Sequence, residues 1–127
     1  MNALTREWIE KAEGDFATAG REIRARRQPN YDAACFHAQQ AAEKYLKALL
    51  QENGAPIPRT HNLLDLLEQC LPYDETLELY RDLLVVLDRY AVLYRYPGES
   101  ADKEEARRVY QAISAFRNFM ASRFAQS

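Results

Sequence analysis

Five prolines, Pro29, Pro56, Pro58, Pro72 and Pro97, fall into gaps between long runs in which apolar residues recur every three or four positions. Proline fixes its own φ and lacks an amide donor, so a helix ends at or near the residue before it. The four glycines read with the prolines as punctuation between helical segments. The first segment, Thr5 to Arg26, carries Trp8, Ala12, Phe16, Ala19 and Ile23 on one stripe, with Thr5 as its cap. The second runs from Tyr31 to Asn53. A short third starts near Asn62, turns Leu63, Leu64, Leu66, Leu67 and Leu71 inward, and stops at Pro72. A fourth spans Asp74 to Tyr94 with Leu77, Tyr80, Leu84, Leu87, Ala91 and Tyr94 at helical spacing. The fifth, Asp102 to Phe124, buries Ala106, Val109, Tyr110, Ile113, Phe116 and Phe119 or Met120. No segment alternates as a strand would. Four long helices and one short one, joined by brief connections, predict an all-α, antiparallel up-and-down four-helix bundle with an extra short helix. A long coiled coil is excluded because no heptad persists across the breaks.

A chain of 127 residues holds one modest core, so residues 1–127 are read as a single domain. No run reaches the ~18 consecutive apolar residues of a membrane span. The first turns, "MNALTREWIEKAEGD", place charges where a secretory signal needs an apolar stretch, so a cytoplasmic protein without membrane association is expected. Cys35 and Cys70 make neither a disulfide framework nor a spacing that ligates metal, and both read as small packed residues. The net charge of −2 argues against general attraction to nucleic acid. Against that background "GREIRARRQ" concentrates Arg21, Arg24, Arg26 and Arg27 at a helix end, where cations also suit the negative end of the macrodipole.

The second helix divides into two arcs when its residues are placed about 100° apart. Tyr31, Ala34, Cys35, Ala38, Ala41, Ala42, Tyr45, Leu46 and Leu49 form an alanine-rich core face, which lets neighbouring helices approach closely. Phe36, Gln40, Glu43, Lys44 and Lys47 form the opposite arc, with His37 at the boundary. A phenylalanine among those charges predicts cover by a second chain or by the loop "YRYPGE", since burying such a ring contributes about 2 kcal/mol.

The sequence "YDAACFHAQQAAEKYLKALL", then "GAPIPRTHNLLDLL", then "RYAVLYRYPGES", resembles the HEPN domain family, in the branch paired with minimal nucleotidyltransferases. The resemblance spans essentially the whole chain. It implies an all-α homodimer, a separate nucleotidyltransferase subunit as partner, and a role in nucleotide binding or a toxin–antitoxin module. Many HEPN proteins are metal-independent ribonucleases that use an Arg followed four to six residues later by His, near the end of the third long helix. This chain departs from that pattern. Its two histidines are His37 and His61, Arg59 stands two residues before His61, Arg27 ten before His37, and no histidine follows Arg95.

Arg95 and Tyr96 hold the corresponding place and resemble the "RYP" variant of the branch; with Pro97 and Gly98 fixing the turn, a guanidinium able to engage a phosphate and a ring able to stack on a base are expected to be held together. Gln40, Lys44, Lys47, His61, Arg95 and Tyr96 are accordingly the nucleotide- or RNA-binding candidates. Phe36, His37, Tyr94 and Pro97 are candidates for the dimer contact or its groove. No catalytic residue, metal or cofactor is assigned, and the chain has no Gly-rich phosphate loop or "GS" turn with paired aspartates for transfer chemistry of its own. Three readings stay open: a non-catalytic subunit binding a nucleotide or RNA for a nucleotidyltransferase, a ribonuclease toxin neutralised by its partner, and a scaffold for protein interaction alone.

Overall fold

The computed structural model of the chain describes residues 1–93 and 96–125. Five α-helices follow in order: α1 Ala3–Arg24, α2 Tyr31–Glu52, α3 Leu63–Cys70, α4 Arg81–Leu93 and α5 Lys103–Ala125, with a 3₁₀ helix over Glu75–Tyr80 before α4. No strand occurs among the described residues.

Caps set the boundaries. Asn2, and not Thr5, caps α1: its side-chain oxygen accepts the Thr5 amide at 2.8 Å and the Thr5 hydroxyl at 2.9 Å. Thr5 lies inside the helix, fully buried, and its hydroxyl also reaches Glu52 at the far end of α2. Asn30 caps α2 and Asn62 caps α3, and the Thr60 hydroxyl accepts the Asn62 amide. Asp102 and Glu105 accept each other's backbone amides in a capping box that opens α5. Gly14 and Gly20 lie within α1, not between elements. At buried Gly20 the space a side chain would take is filled by the Arg24 guanidinium and the Tyr110 hydroxyl.

The fourth expected helix begins differently. Asp74 accepts the Thr76 amide and pairs with Arg123 of α5 at 2.6 Å, and the chain between Asp74 and Arg81 tightens into 3₁₀ geometry, a common form at helix ends. Tyr80 then seats its ring against Phe119 and Phe116, with centroids at 4.5 and 5.8 Å.

The long helices α1, α2, α4 and α5 alternate in direction, pairings near their ends fix this, and the short α3 runs in the same sense as α2, its start beside Gln39 and Glu43 and its end beside Leu46. Asn2 of α1 meets Glu52 at the end of α2. Asp32 at the start of α2 accepts the Ala101 amide just before α5, while Asp74 and Arg123 close the opposite end. α2 runs through the middle and packs against all four other helices. Ala38, Ala41, Ala42 and Ala48 are buried on it, so α1 and α5 come close, and Tyr45 meets Phe116 edge-on at 6.4 Å. No helix among the described residues is long and apolar enough to cross a membrane.

Candidate functional site

The central place of α2 changes how its polar arc is used. From Ala41 to Leu50 only Lys44 escapes full burial; Glu43 and Lys47 lie inside. The sequence put both on an outer arc. α1 covers that arc instead, with the Trp8 ring 5.8 Å from the Lys47 ammonium. A buried charge is stable only when paired and hydrogen-bonded. Lys47 Nζ meets Glu43 Oε2 at 3.1 Å, one turn away, and Glu43 Oε1 meets His61 Nδ1 at 3.0 Å.

A second cluster of the same composition lies toward the N-terminal end of α2. Asp15 of α1 meets His37 Nδ1 at 2.8 Å with one oxygen and the Lys44 ammonium with the other. Each carboxylate thus bridges one imidazole and one lysine. Between the clusters along α2, Gln40 donates its amide to Gln39 Oε1 at 2.8 Å, and Gln39 donates to the His61 carbonyl at 3.0 Å. That last bond ties the loop before α3 to the middle of α2. The result is a polar ledge on α2, edged by α1 and by the start of α3.

The two histidines differ in access. The side chain of His61 is 71% exposed over a carboxylate that is 5% exposed, so one edge of the ring is anchored and the rest faces solvent. His37 is half-buried and carries Phe36 edge-on, at 5.3 Å between centroids. Phe36 is 38% exposed. Between the outer faces of α1 and α2 a shallow cavity of about 260 Å³ opens beside Trp8, lined also by Leu4, Glu7, Lys11 and Gln51. It is smaller than the ~300–1,000 Å³ that encloses most small ligands.

Of the sequence-derived candidates, the ledge gathers Phe36, His37, Gln40, Lys44 and His61 along one line. Lys47 belongs to its buried support and offers no free charge at the surface. Tyr96 is 67% exposed and Pro97 is exposed beside it, in the loop between α4 and α5. Arg95 and Tyr94 lie outside the described residues. Asp15, Gln39 and Trp8 completed the ledge without being singled out for it. The signal for Trp8 and Asp15 was their spacing of seven, which places them on one side of α1. No group of three or more His, Cys, Asp or Glu side chains suited to a metal ion occurs among the described residues.

The chain matches the HEPN domain family over residues 5–123. It is also similar to the crystal structure of TT1696 from Thermus thermophilus, at 31% identity and a TM-score of 0.78, over 93% of this chain and 96% of that one. No curated protein matches it.

Proposed function

Because the chain belongs to the HEPN domain family, we propose that it is a non-catalytic subunit of a two-component pair, binding a nucleotide or an RNA end for a separate nucleotidyltransferase. The observation that carries this reading is the ledge. Gln40, Lys44 and His61 are held at its surface by hydrogen bonds from beneath, which reduces the rotamer entropy lost on meeting a ligand. A lysine suits a phosphate, and amide and imidazole groups suit the edges of a base.

The ledge lies open to solvent at His61, and the reading includes a second copy of the chain that completes the site over it. Phe36 and Tyr96, both exposed rings, are the contacts by which that copy or the ligand is expected to be held. The chain has no Arg at the family's ribonuclease spacing from either histidine, and each imidazole instead meets a carboxylate.

Isothermal titration of the chain with ATP and the other nucleoside triphosphates tests the proposal, alone and mixed with a nucleotidyltransferase encoded beside it. Binding in either state, weakened by His61→Ala, is the expected result. Silence in both states overturns it.

One observation favours a second reading, a ribonuclease toxin neutralised by its partner. An exposed imidazole oriented through Nδ1 by a buried carboxylate is what a general base requires, and His61 over Glu43 has that form. Expression without the partner separates the two: growth arrest with RNA cleavage that His61→Ala abolishes would select the enzyme.

A further inference from the structure

The arginines singled out in the sequence, Arg21, Arg24, Arg26 and Arg27, have no part in the ledge. In the structure they are all exposed, at the C-terminal end of α1 and in the turn beyond it. α5 runs antiparallel alongside. Glu13 meets Arg117 at 3.1 Å, Phe16 stacks on Tyr110 with centroids 5.5 Å apart and planes 4° from parallel, and Arg24 reaches the Tyr110 hydroxyl at 3.5 Å. Lys103 and Arg107 stand seven and three residues before Tyr110, on the same side of α5 and further toward its start. Continuing the antiparallel register therefore brings them beside the arginine end of α1. The adjoining loops meet there as well, since Gln28 and Pro29 line one shallow cavity with Ser100 and Ala101.

Six cations thus share one edge of a chain whose net charge is −2. Arg26, Arg27, Lys103 and Arg107 have no ion pair or hydrogen-bonded side-chain partner among the described residues. The nearby carboxylates of Glu22, Asp32 and Asp102 accept the backbone amides of Asn30, Ala101 and Glu105, and no ion pair joins them or Glu104 to these cations among the described residues. Unpaired like charges on one edge repel one another, and an anion relieves that cost.

The composition of the edge says which anion. Five of the six cations are arginines, whose planar fork matches a phosphate. A protein interface would need an exposed aromatic or aliphatic anchor at its centre. The exposed large apolar residues among those described are Met1, Leu4, Phe36, Tyr73, Leu79, Val85 and Tyr96, and none of these belongs to this ridge. We propose that the ridge of Arg21, Arg24, Arg26, Arg27, Lys103 and Arg107 binds the phosphodiester backbone of a nucleic-acid strand. The contact is to the backbone, so it is independent of base sequence. It lies along α1 and α5, apart from the α2 ledge, and does not depend on what that ledge binds.

The test is a titration of the full chain with labelled oligouridylate, followed by fluorescence anisotropy across a series of salt concentrations. Six phosphate contacts predict a slope of log K against log salt of about −4, at about 0.7 per contact for a single strand. The triple variant Arg26→Gln, Arg27→Gln, Arg107→Gln should flatten that slope by about 2 and weaken every oligonucleotide sequence alike. Its thermal melt should match the parent, because the three side chains are exposed and make no bond that folding needs. Lys44→Gln, which probes the ledge, should leave the ridge's share of the slope in place, so failure of the proposed nucleotide site and failure of the ridge are read separately. An unchanged slope in the triple variant overturns the proposal. So does polyglutamate that displaces the RNA at equal charge concentration, since the ridge would then be a site for an acidic protein.

Discussion

Glu43 and Lys47 face each other one turn apart on α2, carboxylate to ammonium at 3.1 Å, with side chains 5% and 7% exposed. The pair is among the most buried charge in the molecule, yet it is not inert support. Its carboxylate also holds His61, the most accessible polar group of the ledge, so packing at the centre of the bundle sets the position of a side chain at its surface.

Removing one partner should therefore cost more than removing both. Glu43→Leu leaves a lysine buried without a counter-charge, and a loss of about 3–5 kcal/mol is expected. Glu43→Leu with Lys47→Met replaces the pair by apolar side chains of similar size and should recover most of that loss. Urea unfolding of the two variants beside the parent makes the comparison. Equal destabilisation of both would mean that the pair contributes net attraction instead of balancing its own desolvation.

The helices were legible in the sequence because each carries a full apolar stripe and ends at a Pro or a cap. Even the alanine face of α2 followed from spacing alone. The 3₁₀ start before α4 was not legible, since it follows from Asp74 gripping Arg123 some fifty residues away. The ledge was half legible for a related reason. Periodicity identifies Phe36, Gln40, Lys44 and Lys47 as one arc, but whether that arc is bare depends on what covers it. Trp8 of α1 covers Lys47, and one helix's pattern carries no record of its neighbour. Asp15 likewise carries no mark in the sequence of the His37 and Lys44 side chains that converge on it.

Neither cysteine should react while the chain is folded. Burial pushes the Cys35 thiol up to about 12, with Asp32 and Glu105 adding to it, and burial pushes Cys70 to about 12 as well. At pH 8 about one thiol in ten thousand is then the reactive thiolate. Iodoacetamide followed by mass spectrometry should show no adduct on the native chain and two after denaturation. A single rapid adduct on native protein would show that one end of α2 or α3 opens readily.

Acid should loosen the junction of the 3₁₀ helix with α5. Burial raises the Asp74 carboxyl, but the Thr76 hydroxyl and amide and the Arg123 guanidinium outweigh it, and the group titrates below the usual carboxylate value of 3.8. A depressed folded value means that ionised Asp74 stabilises the native chain. That contribution is complete above the unfolded value and disappears as pH falls through the folded one. Asp74→Asn should accordingly lower the melting temperature at pH 7, with a deficit that shrinks as the pH falls below 3.8. A deficit independent of pH would assign the loss to the cap on Thr76 instead of the charge.

Asp15→Asn separates the two things Asp15 does. In the native chain its carboxylate neutralises Lys44, so a phosphate approaching the ledge must share that ammonium with a fixed anion. A unit charge 4 Å away is worth about 1 kcal/mol in water and about 4 kcal/mol near a protein surface. Removing the charge while keeping the shape should tighten nucleoside triphosphate binding by about tenfold or more at low salt, with the gain shrinking as salt rises. Lys44→Gln should do the reverse. The orienting bond to His37 Nδ1 survives in the amide, whose oxygen still accepts, so the change in affinity reads the electrostatic part alone. Calorimetric titration of the two variants with ATP decides the matter. Weaker binding by Asp15→Asn, together with no change in Lys44→Gln, would move the phosphate contact away from Lys44 and leave Asp15 as a clamp between α1 and α2.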